Sequence, residues 1–273
     1  MDFPSLNTIK LDIHDPGVLV MSFNRPSRLN SMTPEAYRDW HQVMQYVHAT
    51  PSLRVLIFTG TGRAYSAGQD LARIEYKNKD EEERTIRQRN DLTRNLTKLI
   101  ITSPIPIIAA VNGPAIGYGC TTLALCDLVI SVEQAIFRTP FAELAFCAEG
   151  CSSVTFPRIL GPMVANDMIL FGRTMTAREM HERGFVSRIV EKEQLMPVAL
   201  GLAKELAGRA QGAIRVSRGF IRNRESVEEL VRVNDLEMDG LYKCMISDDA
   251  KRAVAQVFAK LQAKSSGAPK AKI

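Results

Sequence analysis

The stretch Ile107-Ile108-Ala109-Ala110-Val111-Asn112-Gly113-Pro114-Ala115-Ile116-Gly117-Tyr118-Gly119-Cys120 decides how the chain is read. Its first five residues form a continuous apolar run, short enough for a strand buried on both faces. Gly113 and Pro114 interrupt it. Small residues then open a short helix, whose first N–H groups have no partners within the helix. A strand that feeds a glycine-rich turn and a helix is an α/β unit. The arrangement also occurs earlier, where the buried strand Val55-Leu56-Ile57-Phe58 precedes Ala64-Tyr65-Ser66-Ala67-Gly68-Gln69-Asp70-Leu71. Two such sets of N–H groups aimed at one point would stabilise an oxyanion. Physics alone favours a plain structural turn for either segment taken separately.

Working outward, Ile9 to Ile13 alternates and Val18-Leu19-Val20-Met21-Ser22-Phe23 is apolar, which predicts a β pair turning at Asp15-Pro16-Gly17. Thr33-Pro34 reads as an N-cap with proline at the first helical position, opening a helix through Trp40 and Val47. A long polar helix is expected from Asp80 to about Ile101, and a strand at Leu128-Val129-Ile130-Ser131-Val132. From about Gly150 onward the pattern reads as almost wholly helical. Thr176-Ala177-Arg178-Glu179 is a capping box, and 191–209, 212–223 and 226–262 have helical periodicity. The expected organisation is an α/β core over 1–195, a helical oligomerisation or lid region over 196–263, and a flexible tail over 264–273.

The chain has 273 residues, 45% hydrophobic and 24% charged, an ordinary globular mixture long enough to bury a sizeable core. Its 35 Lys+Arg against 30 Asp+Glu leave a net charge of +5. That excess suits anionic ligands but is too weak and scattered for nucleic acid. Cys120, Cys126, Cys147, Cys151 and Cys244 lack zinc spacing and are odd in number, so they read as small buried hydrophobes. His14, His41, His48 and His181 are dispersed, and no metal site is expected. The apolar stretch from Ile105 to Val111 is far too short for a membrane span. The start Met1-Asp2-Phe3-Pro4 fits neither a signal nor a transit peptide.

Asn24-Arg25-Pro26-Ser27-Arg28-Leu29-Asn30-Ser31-Met32 is similar to the NRP-x-(K/R)-x-NA opening of crotonase-fold enzymes, the enoyl-CoA hydratase/isomerase superfamily. Tyr65-Ser66-Ala67-Gly68-Gln69-Asp70-Leu71 resembles their F-x-(A/S)-G-x-D-L segment, and Ala109 to Gly117 their A-x-V-x-G-x-A-x-G segment. Leu125-Cys126-Asp127-Leu128-Val129-Ile130-Ser131 is similar to their C-D-(I/L) strand, and Leu170 to Val186 to a later segment, so the resemblance covers nearly the whole chain. It implies an α/β spiral of ββα units with a helical C-terminal region, assembled as a homotrimer or hexamer. The implied ligand is an acyl-CoA thioester, with coenzyme A part of the substrate and no separate cofactor. The thioester oxygen would lie between the backbone N–H groups of Gln69 and Tyr118, with the Tyr118 ring able to shape the acyl tunnel. Ala67, Gly68, Gln69, Asp70, Leu71 and Gly117 would line the substrate site. Arg28 would lie near the CoA phosphates, or be a solvated charge.

Hydratases of this superfamily hold a water between two glutamates, and those positions here read Thr121 and Phe141. Peroxisomal-type Δ3,Δ2-enoyl-CoA isomerases instead carry one glutamate in a P-E-G-C-S-S segment, which Ala148-Glu149-Gly150-Cys151-Ser152-Ser153 resembles, with alanine in place of proline. The resemblance makes Glu149 the catalytic base; without it, Glu149 reads as an acidic residue at the start of a helix. Glu143 is the competing carboxylate and is expected to be structural. Other expected possibilities are enoyl-CoA hydration, dienoyl-CoA isomerisation, or a non-catalytic or RNA-binding relative. Ala271-Lys272-Ile273 resembles a peroxisomal import tripeptide, which implies the import receptor as a partner and a peroxisomal location, with cytosol or mitochondrion as alternatives.

Overall fold

The computed structural model describes residues 5–71 and 77–265, without the side chains beyond 260. Ala271-Lys272-Ile273 lies outside the described residues. The chain opens with β1 (Ile9–His14) and β2 (Val18–Phe23), an antiparallel pair as the alternation predicts. Helix α1 (Pro34–Ala49) follows, with the Thr33 side chain accepting from the Ala36 N–H and proline in its first turn. Its buried face, including Trp40, Val43 and Val47, packs into the main core. Then come β3 (Val55–Gly60), α2 (Lys79–Ile101), capped by Asn78, and β4 (Ile107–Val111).

Beyond β4 the chain forms β5 (Ala115–Ile116), the four-residue α3 (Tyr118–Thr121), β6 (Leu128–Val132) and β7 (Ile136–Arg138). Helices α4 (Ser152–Leu160) and α5 (Pro162–Ile169) come next, then β8 (Met175–Thr176), α6 (Ala177–Glu182) and β9 (Arg188–Val190). The capping box at Thr176 and Glu179 is formed. The chain closes with α7 (Leu195–Gly208), α8 (Gln211–Ile221), α9 (Arg224–Met245) and α10 (Asp248–Ser265).

One sheet runs in the order β1-β2-β3-β4-β6-β9, parallel from β2 onward, and β5-β7-β8 make a second, smaller sheet. Parallel strands buried on both faces need helices on those faces. Helix α7 lays Leu195, Ala199, Ala203 and Ala207 on β2, β3, β4 and β6, and the expected boundary at 195/196 falls at its first turn. The reading of the chain from about Gly150 as almost wholly helical holds apart from β8 and β9, and β9 extends the main sheet by pairing with β6. Two- and three-residue strands are too short to show a period of two. The stretch read as one helix over 226–262 is two, parted at Ile246 and Ser247, where the Ser247 hydroxyl accepts from the Ala250 N–H.

Candidate active site

Gln69 lies where the segment after β3 crosses Met32, held by the bonds from Met32 N–H to Gly68 O and from Asp70 N–H to Met32 O. The loop 24–32 is tied to the same segment by side chains. The Asp70 carboxylate accepts from Ser31 Oγ at 2.9 Å and from Arg25 Nη1 at 3.2 Å. Asn30 Nδ2 donates to the carbonyls of Thr61 and Ala64, and Ser66 Oγ donates to Asn30 O. Asp70 is thereby a latch between two loops. Ala67 N–H donates to Leu29 O, and Leu71 is half-buried at the end of a described segment. Arg28 is exposed and makes no ion pair among the described residues.

Gly68 has φ of 78°, in the left-handed region, and a Cβ there would stand 2.8 Å from the carbonyl oxygen of Ile116. Only glycine allows both that conformation and that approach. The approach brings the segment after β3 against Gly117 and α3. Tyr118 is the first residue of α3, so its N–H precedes any acceptor within the helix. Among the described residues, neither the Gln69 N–H nor the Tyr118 N–H has an acceptor.

The expectation that the Tyr118 ring shapes an acyl tunnel is corrected. The ring is fully buried, packs against Trp40 at 5.6 Å and Tyr37 at 5.5 Å, and its hydroxyl bonds Thr97 Oγ1 at 2.8 Å. It anchors α3 to α1 and α2. Of the two hydratase positions, Thr121 is fully buried with Gly150 folded over it, so that a Cβ on Gly150 would lie 2.5 Å from Thr121 Oγ1, and Phe141 is buried as well.

That contact joins α3 to the segment bearing Glu149. Gly150 and Cys151 both have positive φ, and the backbone carbonyl of Glu149 accepts from the N–H and the hydroxyl of Ser152. Just before them, Phe146 and Cys147 pack against an apolar cluster of Ile86, Met238, Leu241 and Met245 from α2 and α9. Glu149 itself is partly exposed, yet its carboxyl is desolvated enough to be pushed up to about 8. Burial is the main cause. The nearby Glu237 charge adds to it, and Arg89 opposes it. Glu143 lies on the surface, paired with Arg138.

Sequence reasoning missed Glu237. It is buried on α9 and accepts from Cys151 N–H at 2.7 Å and Ser153 N–H at 2.9 Å. The signal was present, because Val233, Glu237, Leu241 and Met245 recur every four residues and set a glutamate within an apolar stripe.

A family model described as enoyl-CoA hydratase/isomerase matches residues 14–266. The chain is 31% identical over 251 residues to a mouse (Mus musculus) protein named enoyl-CoA delta isomerase 3, peroxisomal, covering 92% of this chain and 78% of that one. It is 32% identical over 224 residues to the human (Homo sapiens) Chromodomain Y-like protein, covering 82% of this chain and 37% of that much longer one. The crystal structure of an enoyl-CoA hydratase/isomerase from Pseudoalteromonas atlantica T6c matches with a TM-score of 0.82 at 28% identity, covering 93% of this chain and 98% of that one.

Proposed function

The chain belongs to the enoyl-CoA hydratase/isomerase family, and we propose that within it the protein is a Δ3,Δ2-enoyl-CoA isomerase of unsaturated fatty-acid β-oxidation. The observation that carries this reading is a desolvated carboxyl, Glu149, on a segment packed against the helix whose first N–H, that of Tyr118, has no acceptor among the described residues.

Moving a double bond from C3=C4 to C2=C3 requires a proton to leave C2 and one to arrive at C4. Glu149, in its ionised form, takes the C2 proton. The electron pair of the broken C–H bond moves into a dienolate whose charge rests on the thioester oxygen. The Gln69 and Tyr118 N–H groups donate to that oxygen, and such preorganised donors act most strongly where water is excluded. Glu149 then returns its proton to C4, which re-forms the thioester carbonyl. The sequence is redox-neutral and leaves Glu149 as it began. A carboxyl poised near neutrality suits both transfers. Buried Thr121 and Phe141 speak against hydration, since neither supplies a carboxylate to hold a water.

Assembly as a homotrimer or hexamer is part of the proposal, supported by Val216, Phe220 and Ile221, large apolar residues exposed on α8. A peroxisomal location is supported by the mouse relative's name, and deletion of Ala271-Lys272-Ile273 should disperse the protein in the cytosol. The deciding assay supplies 3-enoyl-CoA and, separately, 2-enoyl-CoA. Conversion of the first with little 3-hydroxyacyl-CoA from either is expected, whereas hydration as fast as isomerisation overturns the reading. A non-catalytic relative would do neither.

A further inference from the structure

We infer that Glu237 is the positioning residue of this site: from α9 it clamps the segment that carries Glu149 and holds a second buried negative charge beside the Glu149 carboxyl. The inference deepens the isomerase reading and rests on it for its catalytic meaning. Each oxygen of Glu237 accepts one backbone N–H, Oε2 from Cys151 and Oε1 from Ser153. Burial pushes the Glu237 carboxyl up, and the N–H groups of Ser153 and Cys151 oppose that shift by favouring the carboxylate, which accepts with both oxygens. These N–H groups belong to the N-cap and first turn of α4, where unpaired donors and the positive end of the helix favour an anion.

The clamp acts on a strained segment whose own bonds run from Ser152 to the Glu149 carbonyl. Gly150 and Cys151 are consecutive left-handed residues, and Cys151 does so with a side chain. No side chain of the segment caps α4. Helix α9 supplies the carboxylate and is itself fixed to α2. Arg94 pairs with Asp235 and Asp239, Asn234 Nδ2 donates to Arg94 O, and Asn90 Nδ2 donates to Met238 O. The position of Glu149 is therefore referred through Glu237 to the α2–α9 pair.

Several groups face Glu149 electrostatically: Glu237 from α9, Arg89 from α2, Tyr37 from α1, Tyr118 from α3, and Cys147 on its own segment. Tyr37, Tyr118 and Cys147 are raised by burial from values already above neutrality and stay neutral. Glu237 is raised from the ordinary carboxylate range and is held ionised by its two N–H donors, which leaves Glu237 and Arg89 as the opposed charges. Removing Glu237's charge leaves Arg89 unopposed and makes Glu149 easier to ionise.

The test is Glu237→Gln, read in two ways. Carbon-13 NMR of glutamate-labelled protein, with Glu149 assigned through Glu149→Gln, follows the Glu149 titration without any need for turnover. The pH profile of kcat/KM follows it through isomerisation. Glu237→Gln should move both acid limbs down by about one pH unit, equivalent to about tenfold in ionisation, and lower kcat on the alkaline plateau. A merely structural role would lower the plateau and leave the limb in place, which overturns the proposal. Glu229→Gln, removing a half-buried charge of the same helix paired with Arg158, should leave the limb unmoved. If Glu237→Gln does not fold, Glu237→Asp decides. It keeps the charge but draws it back from Glu149, so a reduced plateau with both titrations moved down by a smaller step than that expected of Glu237→Gln supports the inference, and an unmoved titration or a wild-type plateau refutes it. Absence of isomerase activity in the wild type would remove the functional reading while leaving the NMR titration to judge the clamp.

Discussion

The N–H groups of Gln69 and Tyr118 are held from nearby. Their segments leave the ends of adjacent strands, touch at Gly68 and Ile116, and are laced by Asn30, Ser66, Arg25 and Asp70. The Glu149 carboxyl is held from far away. Its segment has two left-handed residues, rests on Thr121 through Gly150, and takes its remaining support from a helix more than 80 residues onward. A backbone donor needs only a fixed chain path, which short-range turns and small residues can provide. A carboxyl with a shifted pKa needs an environment, and here distant elements build it.

The sharpest break of that comparison is Glu149→Gln. It should lower kcat on 3-enoyl-CoA by a factor of about 10²–10⁴, as expected for loss of a general base, with acyl-CoA affinity nearly unchanged in calorimetry. Near-normal turnover would sink the assignment. The same variant tests the pKa by stability. Burial pushes the folded carboxyl up to about 8 from its ordinary value of 4.5, so between those values the folded state keeps a proton that the unfolded chain has lost. Stability from this source is whole below the lower value and is lost as pH rises through the upper. The wild-type Tm should therefore decline across that window and the variant's should decline less.

Next in size is Gly68→Ala, which imposes a left-handed alanine and a contact with a backbone oxygen. It should cost about 2–4 kcal/mol in urea unfolding. It should also lower kcat without moving the acid limb, because it displaces donors and leaves the base's surroundings alone. Asp70→Asn loosens the same half more gently. Weakening the bonds to Arg25 and Ser31 should cost about 1–2 kcal/mol, and a wild-type urea midpoint would show that the latch is dispensable. The smallest change is Glu143→Gln. Its pair with Arg138 is on the surface, so stability should shift by no more than about 0.5 kcal/mol and turnover should be near wild type.

The same contrast explains what the sequence disclosed. Val18–Phe23, Val55–Phe58 and Ile107–Val111 were legible because a buried parallel strand is a short apolar run, and the Thr33 and Thr176 caps because a cap is a local chemical signal. β9 was not, because three residues at a sheet edge have no period of their own. The break at Ser247 was legible in principle, since a serine followed by Asp248 and Asp249 opens a helix, but the periodicity on either side concealed it. At the candidate site, the motif segments named Gln69, Tyr118 and Glu149, the residues on which the proposed chemistry rests. The direction of the Tyr118 ring depended on Trp40, Tyr37 and Thr97, which no motif joins to it. Glu237 on a polar helix looks like any solvated glutamate until the stripe is read as a face, and its partners are named only by the fold.

The strand order of the main sheet has a consequence for how the protein is made. Every strand lies at the growing edge next to the strand that precedes it in that sheet, so none must be threaded between two already paired. A chain leaving the ribosome can lay the sheet down as it emerges. The donor half of the site takes shape early in that process, when the segments after β3 and β4 meet. The Glu237 contacts to the Glu149 segment come only with α9, more than 80 residues further on, so the two N–H segments can meet before that carboxyl is held.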